Sequence, residues 1–347
     1  MSHVSPIAPA ETTAGEHHGA PRWGRFGADV SGSGSTAKYT YGPVPSRRLG
    51  RSLGVSLIPH KTCSYSCVYC QLGRTRHPIA EPASFVPRDR VVSEIGERMA
   101  VTSPDFITFV GDGEPTLSSD LGWLIDTCKS RWSVPIAVIT NGSLLFREDV
   151  CERLHDADVV LPSLDAGDPE TFARINRPHP ELDFDTVVSG LIDFAAAFDG
   201  RIYLEVMLVA GLNDTEVALR GIRKLAWAVH PERVDVTVPT RPPAERWVRP
   251  PEPMKILTAQ RILHSAQKAA RPENGVFDLA GFGTVREAII GLSSRHPLRR
   301  EQAQEVANAF GEPTRLEELI DEGELSVVAY EGVDYVAPSR ATTDGGR

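Results

Sequence analysis

No uninterrupted apolar run of about 18 residues occurs in this chain of 347, so the sequence offers no membrane-spanning helix. Cysteine is scarce. There are five, an odd number, and three of them fall within eight residues, which leaves no disulfide framework and points to a reducing compartment. The N-terminus lacks the charged-then-apolar order of a secretory signal, so a cytoplasmic protein without membrane association is expected. Positive charge is in deficit: 37 Lys and Arg against 46 Asp and Glu give a net charge of -9. That balance opposes generic attraction to a polyanion. It leaves room for a local basic groove, and Arg47, Arg48, Arg51, Lys61, Arg74 and Arg76 crowd around the cysteine-bearing segment. The length suits one barrel-sized domain with a small appendage, or two ordinary domains.

Against this background the run His60-Lys-Thr-Cys-Ser-Tyr-Ser-Cys-Val-Tyr-Cys-Gln-Leu-Gly73 stands out. Cys63, Cys67 and Cys70 form a C-x3-C-x2-C triplet with Tyr69 before its last member. Three thiolates so close in sequence can cap three irons of a [4Fe-4S] cube and leave the fourth iron open to a small molecule. Two plainer readings compete. A structural zinc site would recruit His60 or a remote fourth ligand, and a disulfide would leave one thiol spare. Cys128 and Cys151 lie in expected helices and read as small buried hydrophobes. His155, His179 and His230 have no partner at metal spacing.

Residues 1 to about 37 are rich in Ala, Gly, Ser, Pro and Thr and read as a disordered tail, as do 339–347. From about Tyr39, β-rich runs alternate with helical ones, the pattern of parallel strands joined by crossover helices. Six strands are expected, over 52–58, 105–111, 135–140, 158–164, 201–209 and 233–239. Helices fall near 88–100, 119–130, 147–155, 184–198, 214–229 and 256–270. Six βα units are too few to close an eight-stranded barrel, so the fold class is α/β: a partial (β/α)6 TIM-like barrel over 38–283, reactive at the carboxyl ends of its strands. The cysteine run, Gly111-Asp-Gly-Glu-Pro-Thr116, Thr140-Asn-Gly-Ser143 and Ser163-Leu-Asp-Ala-Gly167 each follow or close a strand there.

Strand parity turns Tyr203, Glu205 and Met207 away from the helix layer and into the lumen. Thr108, Ser163, Asp165, Asp235 and Thr237 share that side, which predicts a solvated lumen, with Thr108 and Asp235 read as hydrogen-bonding to neighbours. In the glycine-rich loop, Glu114 places a carboxylate where a ligand ammonium would bind.

The triplet and these rim segments resemble the radical S-adenosylmethionine (SAM) superfamily. The resemblance implies a [4Fe-4S] cluster on Cys63, Cys67 and Cys70 and SAM as second cofactor. It also implies SAM contacts from Tyr69, Gly113, Glu114, Asn141, Ser163 and Asp165, and an electron donor such as flavodoxin or ferredoxin. Gly42-Pro-Val-Pro-Ser-Arg-Arg-Leu-Gly-Arg-Ser-Leu-Gly54, Gly113-Glu-Pro-Thr-Leu117 and Ile175-Asn-Arg-Pro178 are similar to segments of iron-sulfur oxidoreductases related to the wybutosine-forming tRNA enzymes. This likeness covers about 40–240. No cysteine before Cys63 can hold a second cluster, and no rim lysine is read for pyruvate, so the resemblance implies the initiating chemistry and not the substrate.

Over 284–338 three helices and a hairpin, 324–330 with 333–337, predict a winged-helix-like domain. Between Arg286 and Pro338 there are five Arg against eleven Asp and Glu, so sequence-specific DNA binding is not expected; peptide binding, covering of the barrel, or packing are. The function expected is an enzyme that cleaves SAM and abstracts hydrogen from a tRNA, peptide or small molecule, with Glu205 as candidate catalytic contact. The alternative is a redox-sensing regulator with the C-terminal domain as output.

Overall fold

The computed structural model describes residues 39–46, 48–75, 78–265, 277, 279 and 282–339. The expected tails, Ser339 apart, lie outside these residues, as do Arg47 and Arg76. Seven strands stand in sequence order in one sheet curled as a half-barrel: β1 (Thr40–Ser46), β2 (Gly50–Val55), β3 (Phe106–Phe109), β4 (Ile136–Thr140), β5 (Val159–Pro162), β6 (Arg201–Met207) and β7 (Arg233–Thr237). From β2 to β7 every pairing is parallel. Crossovers are supplied by α1 (Arg88–Val101), α2 (Leu121–Arg131), α3 (Glu148–Leu154), α4 (Pro169–Ile175), α5 (Phe184–Ala197) and α6 (Glu216–Val229), and α7 (Pro253–Leu263) follows β7.

The six parallel strands fall where alternation placed them. The seventh, β1, is antiparallel to β2 and was not expected. Its run Thr-Tyr-Gly-Pro-Val-Pro-Ser carries two prolines, which lack the N–H a central strand needs; at a sheet edge that loss is tolerated. Short α4 was also unexpected. It starts at Asp168, whose carboxylate accepts from Thr171 N at 2.8 Å, with Pro169 in the first turn. By contrast α6 follows its pattern: Leu219, Ile222, Ala226 and Val229 are its buried stripe, and Thr215 caps its start.

The turn between β1 and β2 closes the lower end of the lumen. Leu49 is buried against Ala137, Val159, Leu161 and Tyr203, and the Arg48 carbonyl accepts from Arg233 Nη2 at 3.2 Å. Burying such a leucine contributes about 1.5–3 kcal/mol. Thus the β1 and β2 strands build an edge and Leu49 a floor, while Val44, Ser46, Arg48 and Ser52 line the cavity above it.

The C-terminal part has its own core, in which Val285, Ile289, Leu292, Leu298, Val306, Leu316, Leu319 and Val336 pack together. Helices α8 (Val285–Arg295), α9 (Arg300–Ala309) and α10 (Arg315–Asp321) accompany an antiparallel sheet in the order β8-β10-β9, formed by Leu298–Arg299, Val333–Pro338 and Leu325–Tyr330. The two-residue β8 was too short to read in sequence.

Candidate active site

The cysteine loop is sewn to both neighbouring rim segments. On one side Thr62 bridges Gly113, Glu114 N donates to Thr62 O at 3.1 Å, and Lys61 N donates to Asp112 O at 2.7 Å. A Cβ at position 113 would overlap the Thr62 carbonyl, so only glycine permits this approach. On the other side Tyr65 bridges Pro178, Ser66 N donates to Asn176 O at 3.0 Å, and Val68 N donates to Ile175 O at 2.9 Å. The Tyr65 ring meets Phe172 edge-on at 5.5 Å. The loop has few apolar side chains of its own, and backbone bonds to these segments fix its course.

Cys63, Cys67 and Cys70 line one cavity of about 360 Å³ together with Tyr69, Gly113, Glu114, Asn141, Ser163 and Glu205. Each sulfur faces a nitrogen donor: Asn141 Nδ2 to Cys63 at 3.6 Å, Asn176 Nδ2 to Cys67 at 3.6 Å, and Lys61 Nζ to Cys70 at 3.9 Å. Burial pushes the Cys63 thiol up to about 12, and the Glu114 carboxylate adds to the effect. Burial, with Cys63 and Asp165 nearby, also raises Cys67 well above its ordinary value. Thiols so placed ionise when a cationic group joins them, and hydrogen-bonded sulfurs on a shared cavity fit an iron–sulfur cluster. Among the described residues no three cysteine, histidine or carboxylate groups gather to hold a single metal ion. His60, the fourth ligand a zinc site would recruit, is 55% exposed and faces Asp112 at 3.4 Å.

Two buried carboxylates organise the rim. Glu114 accepts from Thr116 N at 3.0 Å, Thr116 Oγ1 at 2.7 Å, Thr140 Oγ1 at 2.6 Å and Asn141 N at 2.7 Å. Burial raises its pKa, against the pull of these bonds. Asp165 accepts from Tyr69 Oη at 2.5 Å, Asn176 Nδ2 at 2.8 Å and Met207 N at 2.9 Å, and burial raises it too. Asn176 therefore serves the Cys67 thiol and a rim carboxylate at once. It lies within Ile175-Asn-Arg-Pro178, where nothing local in the sequence signals this double contact.

The lumen is less open than parity alone predicted. Of the six polar residues assigned to it, Ser163 and Glu205 line the cavity. Thr108 accepts from Ser52 Oγ at 2.7 Å, Asp235 pairs with Arg233 at 3.1 Å, Asp165 is bound as above, and Thr237 Oγ1 donates to Val206 O at 3.4 Å. Glu205 forms an ion pair with Arg48. The expected basic groove is divided as well: Arg48 goes to the lumen, Arg51 to Asp105 at 3.7 Å, Arg74 to Glu245 at 2.6 Å, and Lys61 to the cavity wall. Lys61 also donates to the Gly73 carbonyl, beside the cysteine loop where the sequence puts it. Cys128 is buried among apolar residues, and Cys151 Sγ donates to Leu145 O at 3.1 Å.

The C-terminal part reaches the same cavity. Arg295 and His296, from the end of α8, line it. Arg295 Nε binds Asp112 Oδ2 at 3.0 Å, and its carbonyl accepts from Gln71 Nε2 at 3.0 Å. Burial opposes the Asp112 charge, yet hydrogen bonds from His60 and Ser56 and the Arg295 guanidinium hold its pKa at about 2. Arg241 contacts His296 and donates to Pro297 O at 3.1 Å, while Tyr335 Oη donates to Thr240 O at 2.6 Å. No sequence signal linked position 295 to position 112, which is 183 residues away.

These features are those of a radical SAM domain, and the radical SAM superfamily model matches residues 57–219. More narrowly, the chain belongs to the UPF0026 family: it is 34% identical over 303 residues to a UPF0026 protein of Methanocaldococcus jannaschii, covering 84% of this chain and 93% of that protein. It is also 44% identical over 205 residues to a Brachyspira hyodysenteriae protein named GTPase Obg, covering 59% of this chain and 30% of that longer protein. Among solved structures, TYW1 with a lysine-pyruvate adduct bound matches with a TM-score of 0.47 and 20% identity, over 61% of this chain and 72% of that one. A [4Fe-4S] cluster and SAM are the cofactors of the superfamily. No helix among the described residues is long and apolar enough to cross a membrane.

Proposed function

We propose that the protein is a radical SAM enzyme that cleaves SAM reductively and abstracts a hydrogen atom from a substrate held at the upper lumen. The observation that carries this reading is the meeting of three cysteines, each facing a nitrogen donor, with Glu114, Asn141 and Ser163 around one cavity. Cys63, Cys67 and Cys70 would hold the cluster, and Tyr69, Gly113, Glu114, Asn141 and Ser163 would hold SAM, with Asp165, which does not line the cavity, acting through Tyr69. When bound, the two cofactors supply a 5'-deoxyadenosyl radical from SAM and one electron. The chain's part is to bind and orient. Glu114 fixes the turn that carries Asn141, Asp165 fixes Tyr69, and the floor made by Leu49 limits how deep a ligand can enter.

Glu205, tied to Arg48, stands across the cavity and is the candidate substrate contact. The C-terminal part, a winged-helix-like domain in this reading, covers the rim with Arg295 and His296. A regulator's output surface would have no need to enter the cavity, so the enzyme reading is favoured over the sensor. The substrate class is a small molecule, or one residue of a peptide or tRNA presented at the mouth. The test is anaerobic reconstitution followed by dithionite and SAM. The expected products are methionine and 5'-deoxyadenosine; a reconstituted protein that takes up iron and sulfide but yields neither refutes the reading.

A further inference from the structure

A cluster buried in a cavity needs a route for electrons, and one surface patch is built directly on the cysteine loop. The segment Glu245-Arg-Trp-Val-Arg249 turns on itself, with Val248 N donating to Glu245 O at 3.0 Å. It is anchored twice. Glu245 N donates to Val68 O at 3.1 Å, between Cys67 and Cys70, and Val248 is buried against Val68 and Val209 with Tyr69 alongside. The anchored turn presents Trp247, 51% exposed, to solvent.

Four arginines belong to the turn or to the groups that hold it. Arg74 and Arg177 both grip the buried Glu245 carboxylate, Arg246 is exposed, and Arg249 is 53% exposed beside Glu331 at 3.2 Å. Four cations against two carboxylates make the patch positive on a chain of net charge -9, the reverse of its average surface. An exposed aromatic on a turn that also carries Arg246 and Arg249 is the composition of a binding surface, and the positive balance of the turn and its anchors selects an acidic partner.

We propose that this patch docks an acidic one-electron donor protein of the flavodoxin or ferredoxin type. The proposal rests on the cluster reading above. In the complex, one electron leaves the donor's flavin or iron–sulfur centre, which is oxidised, and enters the cluster, which is reduced, by way of the cysteine loop that the patch backs. RNA, also anionic, is the less favoured occupant, because the patch is small and mounted on the redox loop.

The test compares Arg246→Glu and Trp247→Ala with the control Arg220→Glu, an exposed arginine on α6 (64% exposed). The probe is flavodoxin reduced to its FMN hydroquinone. The expected result is a roughly tenfold slower cluster reduction by flavodoxin in Arg246→Glu, a weaker dependence on salt, and unchanged 5'-deoxyadenosine formation with dithionite, which needs no docking. Flavodoxin binding, followed by FMN fluorescence anisotropy in a salt titration, should weaken in both patch variants and not in the control. Equal rates and equal binding in all variants overturn the proposal; so does loss of tRNA binding with flavodoxin binding intact. If even wild-type protein gives no SAM cleavage with dithionite, the functional reading fails separately, and the anisotropy result still decides the docking.

Discussion

Replacing Asp112 by asparagine tests how firmly the C-terminal part is tied to the rim. The carboxylate is held at a pKa of about 2 against an ordinary 3.8, although burial alone would raise it. At 1.36 kcal/mol per unit, keeping the charge contributes about 2 kcal/mol to folding. Because the folded value is depressed, that contribution is present above the unfolded value and is lost as pH falls through about 2; roughly half remains at pH 3. Asp112→Asn should therefore lower stability by about 2 kcal/mol at neutral pH, or about 3 °C in melting temperature for a chain of this length. The assay is urea unfolding followed by tryptophan fluorescence at pH 7, 5 and 3. The gap to wild type should be equal at the two higher values and about halved at the lowest. Adding Arg295→Gln should cost much less in Asp112→Asn than in wild type, because the two groups share one interaction. A gap that is the same at pH 3 and pH 7, or full additivity of the pair, refutes the reasoning.

Changing any one of Cys63, Cys67 and Cys70 to alanine should abolish visible cluster absorbance after reconstitution and all 5'-deoxyadenosine formation, with the melting temperature of the metal-free protein little altered. Glu114→Gln sets an amide donor against Asn141 N–H and should cost about 1–3 kcal/mol, with SAM binding weakened by about tenfold in equilibrium dialysis. Asn176→Ala removes the donor to Cys67 and should move the cluster potential negative by on the order of 60 mV, one factor of ten for one electron, in a redox titration. Leu49→Ala opens the floor and should cost about 2–5 kcal/mol by urea denaturation, without loss of iron binding.

The six parallel strands were legible because buried strands keep long apolar runs between helical stretches, and their loops announced themselves through glycine and polar residues at each strand end. Edge strand β1 was hidden by its prolines, and α4 by its brevity. The candidate site residues were read from local motifs, and the structure gathers them at one rim. What the sequence could not convey was pairing at a distance. Nothing local says that Arg48 will meet Glu205, that Asn176 will serve both Cys67 and Asp165, or that Arg295 will meet Asp112. Parity assigns a side and not a depth: Thr108 and Asp235 are closed off by Ser52 and Arg233, in keeping with their reading as hydrogen-bonding residues, whereas Asp165 and Thr237, expected in the solvated lumen, are also tied to neighbours.

Arg295 and His296 come from a part of the chain with its own apolar core, yet they form wall of the chamber where the radical would act. Under the proposed function, ignition and part of the choice of target would thus be written on separate stretches of polypeptide. Relatives that exchange or reshape this cover while leaving the thiolates untouched would acquire new substrates without relearning how to start the reaction.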